Sequence, residues 1–132
     1  MIVVDVNVIA YLLIPGERNL LAEKAFRKDP DWIVPLLWRS EFRNIVALYM
    51  RQTGMSLAQA ERTVEHAELL MRGNEYNVQS KSVLTWIAES KLSAYDAEYA
   101  ALAKDLSIKL ITVDKKLLRE APFVAIGLED FV

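Results

Sequence analysis

Four acidic residues fall where a small α/β domain gathers reactive groups. Asp5 follows the apolar run IVV, Glu41 lies in RSEFRNIVA, Asp96 in SAYDAEYAALA, and Asp114 follows LITV. The chain has one histidine and no cysteine, so thiolate chemistry and nitrogen-rich or sulfur-rich metal sites are excluded. What remains is oxygen chemistry. Two carboxylates ~4 Å apart repel by about 4 kcal/mol at an effective dielectric near 20. Carboxylates gathered in one pocket must therefore be partly protonated or share a cation. Hard oxygen ligands select Mg²⁺ or Mn²⁺, and such a site suits phosphodiester hydrolysis.

Each acid also has a purely structural reading. Asp114 can cap the helix KKLLRE, and Asp96 can complete a capping box begun by Ser93. Asp5 can accept from the amides that open the next helix, and Glu41 can pair with Arg39 or Arg43. Capping alone does not require all four to fall at strand ends and on inward helix faces.

The surrounding elements support convergence. Ile2 to Val4, Trp32 to Pro35, Glu75 to Val78, Lys109 to Val113 and FVAIG near the end read as short strands. Helices are expected between them: Val8 to Ile14 capped by Asn7, Asn19 to Lys28, WRSEFRNIVALYMRQTG closed by Gly54, and a segment opened by Ser56 and Gln59. SVLTWIAESKL, the alanine-rich segment from Ser93, and DKKLLRE complete the set. Leu57, Ala60, Val64, Ala67 and Met71 should form one inward face, Val83, Leu84, Ile87 and Ala88 another, and Tyr95, Tyr99, Leu102 and Leu106 a third.

Strands alternating with helices predict a largely parallel sheet covered on both faces, a three-layer α/β/α sandwich. Open parallel sheets bind ligands at the carboxyl ends of their strands, which is where Asp5 and Asp114 fall. Glu41 shares the helical arc of Trp38, Phe42, Ile45, Leu48 and Tyr49, so it should face inward or line a cleft. Asp96 lies one turn into its helix, flanked by Ala100 and Ala103, small enough to let another element approach.

Composition bounds the reading further. The 132 residues are 53% apolar, enough for one domain with a substantial core over residues 1–132. A net charge of -2 argues against a general polycation, so any nucleic-acid contact must be local. The opening carries no signal-peptide pattern, and no apolar run approaches the ~18 residues of a membrane span. The expectation is a cytoplasmic protein without a membrane partner.

The four segments, in this order and at these separations, resemble PIN-domain proteins of the VapC type, the ribonuclease toxins of bacterial toxin-antitoxin pairs. The resemblance runs nearly end to end through VVDVNVI, RSEFRNIVA, SAYDAEYAALA and LITVD. It implies a PIN-like sandwich, an endoribonuclease dependent on Mg²⁺ or Mn²⁺, frequent homodimers, and an antitoxin that covers the active-site cleft. On it, Asp5, Asp96 and Asp114 hold the metal and Glu41 orients or deprotonates the attacking water. Asn7 and Thr112 supply supporting or substrate hydrogen bonds. Some members carry a further acid after the last motif, where this chain has Lys115, Lys116, Leu117 and Leu118. That departure counts against a tightly held second ion.

Other residues read as less telling. Arg39, Arg43, Lys115 and Lys116 lie near the acids in sequence and could hold RNA phosphates, or simply form solvated faces. His66 falls off its helix's apolar stripe and should face solvent, and Trp32 and Trp38 read as core. The main alternative function is a PIN-like module that binds RNA or a protein without turnover. A phosphotransfer domain would want a second Asp two residues after Asp5, where Asn7 stands.

Overall fold

The computed structural model describes residues 1–132 and shows a parallel sheet of five strands in the order β3-β2-β1-β4-β5. The strands are β1 (Ile2–Val4), β2 (Trp32–Pro35), β3 (Glu75–Tyr76), β4 (Leu110–Thr112) and β5 (Ala125–Gly127). The helices are α1 (Val6–Leu13), α2 (Asn19–Lys28), α3 (Trp38–Thr53), α4 (Leu57–Leu70), α5 (Ser80–Glu89), α6 (Ala94–Leu106), α7 (Lys115–Glu120) and α8 (Leu128–Phe131). None is long and apolar enough to cross a membrane.

The central strands are buried on both sides, which is why they read as unbroken apolar runs rather than alternating ones. Ile2 and Val4 of β1, Trp32 and Val34 of β2 and Ile111 of β4 enter one core with residues of α1, α2, α3, α4 and α8. Val3, Ile33 and Leu110 point the other way and meet α5, α6 and α7. Strict alternation along each strand thus divides the helices into two layers. Val3 of β1 sits level with Ile33 on one side and Leu110 on the other. With β1 in the middle and all strands parallel, the residues following β1 and β4 emerge on the same rim.

The expected three-layer arrangement is therefore present, with local corrections. Helix α1 begins at Val6 rather than Val8, and its N-cap is Asp5 rather than Asn7. No loop residue separates β1 from α1, so the cap falls two residues earlier. Strand β3 is only Glu75–Tyr76, shorter than the stretch to Val78. Leu57, the first residue of α4, is 65% exposed because it lies at the mouth of the α3–α4 cleft rather than within the core. Leu84 and Ala88 are exposed, since α5 packs against α6 by the narrow strip containing Val83 and Ile87. Tyr95, in the first turn of α6, is exposed at the rim and lines the cleft there. Gly54 ends α3 at φ 73°, and Ser56 and Gln59 form the reciprocal capping box that opens α4.

Candidate active site

Asp5 is 4% exposed and holds three pieces of chain together. Its Oδ1 accepts from the backbone N–H of Asn7 at 2.9 Å and of Val8 at 3.2 Å, closing the first turn of α1. Its Oδ2 accepts from the Thr112 hydroxyl and from the Val113 N–H at 3.1 Å, tying the end of β1 to the end of β4. Thr112, fully buried, in turn accepts from the Asp114 N–H at 3.0 Å. Asp114 caps α7, its Oδ1 accepting from Lys116 N–H at 2.7 Å and Leu117 N–H at 3.1 Å. Both structural readings are thus correct, and the same bonds fix both carboxylates on the rim.

Glu41 is half-buried on the inner arc of α3 and accepts a 2.6 Å hydrogen bond from the Tyr99 hydroxyl of α6. It pairs with neither Arg39 nor Arg43. Arg39 instead grips Glu75, with Nε at 2.6 Å and Nη2 at 2.9 Å, and reaches Glu68, while Arg43 lies 4.0 Å from Glu68. Two residues along a helix turn the side chain by roughly 200°, so both arginines project to the other side of α3 from Glu41. Closeness in sequence to the acids does not place them beside the acids. Asp96 follows the Ser93 cap of α6, whose Oγ accepts its N–H at 3.1 Å.

The acids act on one another across the rim. Burial raises the Asp5 carboxyl above its ordinary value, against the opposing pull of the Thr112, Val113, Val8 and Asn7 hydrogen bonds. Glu41 is raised first by burial and then by the charges of Asp96, Asp5 and Glu98, although the Tyr99 bond opposes this. Asp96 is raised by burial and then by Asp114, while the Ser93 hydrogen bond and the charge of Lys116 pull it down. Lys115 is exposed on the same short turn. The four predicted carboxylates therefore share one electrostatic neighbourhood. Asn7 and Glu41 also line a common cleft of about 450 Å³ with Ser40, Asn44 and Tyr95.

Two participants are not evident from the sequence. Tyr99 belongs to the apolar stripe of its helix and is 2% exposed, as that stripe predicts, but its hydroxyl finds Glu41. A buried tyrosine generally needs a partner for its O–H, and that is the signal its inward phase offers. Glu98 is a half-buried fifth carboxylate whose charge raises both Glu41 and Tyr99. His66 is exposed and far along α4, as its phase suggests.

No three acids stand close enough to form a closed cation cage. The donor set nevertheless fits a hard divalent ion: carboxylate oxygens with a hydroxyl and an amide nearby, and no imidazole or thiolate at the rim. Asp114 Oδ2 has no hydrogen-bond partner in the chain, and three of the carboxyls are held above their ordinary range by burial, two of them also by neighbouring negative charge. A shared cation would relieve both burial and repulsion.

The PIN domain profile matches residues 2–124. The chain belongs to the PIN-domain family. Among PIN relatives, it is 27% identical over 124 residues to "Ribonuclease VapC3" of Pyrobaculum aerophilum, covering 92% of this chain and 95% of that one. The same fold occurs in the crystal structure of FitAcB from Neisseria gonorrhoeae, with a TM-score of 0.77 at 21% identity, covering 98% of this chain and 99% of that one. It occurs also in PAE2754 from Pyrobaculum aerophilum, with a TM-score of 0.76 at 22% identity over 97% of this chain and 90% of that one. The PIN resemblance and the sandwich read from the sequence are borne out. The PIN sheet is what brings Asp5 and Asp114 to one rim.

Proposed function

We propose that this PIN domain is a divalent-metal-dependent endoribonuclease and the toxin of a toxin-antitoxin pair. The observation that carries the proposal is the mutual influence of the acids: Glu41 is raised by burial and by the charges of Asp96 and Asp5, and Asp96 by burial and by that of Asp114, at a rim where Asp5 and Asp114 follow neighbouring parallel strands. The likeness to Ribonuclease VapC3 over nearly the whole chain supports RNA as the substrate and a partner antitoxin.

Asp96 and Asp114 would hold Mg²⁺ or Mn²⁺ together with Asp5, whose oxygens are oriented by the ends of β1, α1 and β4. When bound, the ion supplies charge to the phosphoryl oxygens and acidity to the attacking water. Glu41 orients that water and takes its proton, and its raised carboxyl makes it a stronger base than a free glutamate. Tyr99 fixes Glu41 through its hydroxyl, and Thr112 fixes Asp5. Asn7, exposed at the mouth of the cleft, offers an amide to the substrate. Lys116, whose charge reaches Asp96, and Lys115 beside it are the cations positioned to meet RNA phosphates at the rim. Arg39 is committed to Glu75, and Arg43 faces the other side of α3, so neither is assigned that role. A homodimer and an antitoxin laid over the cleft complete the proposal.

Because water rather than the ribose 2′-hydroxyl attacks, products should carry 5′-phosphate ends. Incubating the purified chain with structured RNA and Mg²⁺, with Glu41→Gln as the contamination control, tests the reading. Cleavage by wild type that the variant loses is expected. Equal cleavage by both, or none by either with Mg²⁺ or Mn²⁺, sinks it.

A further inference from the structure

A second cleft, of about 480 Å³, lies between the C-terminal ends of α1 and α3 and the stretch of α4 from Gln59 to His66. Its chemistry is opposite to that of the rim. Arg62 and His66, one turn apart on α4, line it with Tyr49 and Gln59, and no aspartate or glutamate does. This is unusual in a chain with 18 acids against 16 lysines and arginines. Charge is sorted across α4: Glu61 and Glu65 line the cleft on the other side of the helix, with Arg43. Arg39 and Arg43 are paired with carboxylates, whereas Arg62 has none within salt-bridge distance. The Gln59 Oε1 is occupied by the Ser56 N–H, which leaves its amide N–H groups free to donate. Guanidinium, imidazole, phenol and amide donors around an acid-free hollow match a phosphate group.

The two clefts stand at opposite ends of one seam. Asn7 of α1 and Glu41 of α3 line the first; Ile14, which caps the C-terminus of α1, and Tyr49 of α3 line the second. Seven or eight residues separate the members of each pair, and at 1.5 Å per residue both helices place the clefts about 11 Å apart along their axes. Tyr11 and Ile45 are half-buried on these two helices, and the Arg18 guanidinium lies 5.7 Å from the Tyr11 ring centre, adding a cation and apolar surface beside the seam. From this we propose that the α1–α3 seam is a track for single-stranded RNA, and that Arg62 and His66 bind a backbone phosphate a few nucleotides from the one at the acids. The inference rests on the nuclease reading for its substrate, but its cationic cleft can be tested without cleavage.

The test uses the full chain carrying Glu41→Gln, so that RNA stays intact. Binding of a fluorescent uridine octamer and of a dinucleotide is measured over a range of salt, with and without Arg62→Ala and His66→Ala together. The expected result is octamer binding weakened about tenfold, a salt dependence shallower by about 0.7 in log-log slope for each phosphate no longer neutralised, and unchanged dinucleotide binding. Unaltered octamer binding, or equal weakening of both oligonucleotides, overturns the proposal. So does a double variant whose only change is in self-association by sedimentation. His66 is the sole histidine, so its ring resonances report the cleft directly while inorganic phosphate is titrated. A saturable shift abolished by Arg62→Ala, alongside the octamer result, supports the proposal. The shift without an octamer effect assigns the cleft to a free phosphate and overturns the RNA track. Failure of the wild-type chain to cleave any RNA, with octamer binding still dependent on Arg62, removes the nuclease reading and leaves the track standing.

Discussion

Two clusters of acids flank α3, and they are built on opposite principles. On one side Glu75 is held by Arg39 at two points and by the Trp38 indole N–H at 2.6 Å, and these bonds pull its carboxyl below the ordinary range. On the other side Glu41 meets Tyr99 and the charges of Asp96, Asp5 and Glu98, and is pushed up. One cluster carries its own counter-charge, and the other does not. Glu75, a carboxylate that clamps α3 to β3, is neutralised within the fold. A group of acids left mutually repelling costs stability that a purely structural role would not require, which makes the rim the place to look for a ligand.

Removing an acid from each cluster should therefore have opposite consequences. Asp96→Asn is expected to reduce RNA cleavage at least about a thousandfold while leaving melting temperature unchanged or slightly higher, measured by single-turnover kinetics and calorimetry. Glu75→Gln should do the reverse, lowering the melting temperature and sparing the rate. If both variants lose activity alike, the division between clamp and site is wrong.

Mg²⁺ should sharpen the contrast next. At a hundred times its dissociation constant, an ion bound only by the folded chain adds about 2.7 kcal/mol. Thermal scans should show that gain in wild type and in Glu75→Gln, and not in Asp96→Asn. A smaller effect is expected for Tyr99→Phe. It should lower kcat about tenfold and leave KM unaltered, since the phenol touches Glu41 rather than substrate. A change confined to melting temperature would make Tyr99 structural only.

The smallest effect is in the pH dependence of stability. Asp5, Glu41 and Asp96 have carboxyls raised in the folded state from reference values of 3.8, 4.5 and 3.8. Between the unfolded and the raised folded value the native chain binds more protons, so stability falls as pH rises through that window and is gained on acidification. Glu75 is lowered from 4.5, so its contribution is present above that value and lost as pH falls through the depressed folded one. As pH falls through the raised folded values of these three carboxyls, the metal-free chain should thus become more stable, before Glu75 and the remaining acids reverse the trend at lower pH. Saturating Mg²⁺ should erase the gain, because the ion and the protons compete for the same oxygens. Chemical denaturation across pH with and without the ion measures this.

Much of the site is legible in the chain because its residues are tied to local signals. Asp5 and Asp114 directly follow apolar runs that could only be buried strands, and Glu41 keeps the phase of Phe42 and Ile45. Partners distant in sequence are not legible. Tyr99 reaches Glu41 across 58 residues and Arg39 reaches Glu75 across 36, and no periodicity encodes which buried hydroxyl or exposed cation an acid will meet. The cap of α1 is ambiguous in sequence because Asp5 and Asn7 are equally good cap residues, and only the absence of a loop after β1 decides between them. The Asp5 bonds also determine what an Asp5→Asn variant would report. An amide there replaces one acceptor oxygen with a donor facing a donor, costing about 2 kcal/mol, so Asp96 and Glu41 are the cleaner places to silence the site.

That stitching of β1, α1 and β4 through a single carboxylate bears on how such a protein could lose its activity over evolutionary time. A lineage drifting toward a harmless form can discard Asp96, whose side chain bonds to no other strand or helix, with little damage to the scaffold, whereas discarding Asp5 loosens the middle of the sheet. Silent descendants should accordingly keep their first aspartate long after the others have gone, and its persistence in a divergent copy would testify to architecture, not to retained catalysis.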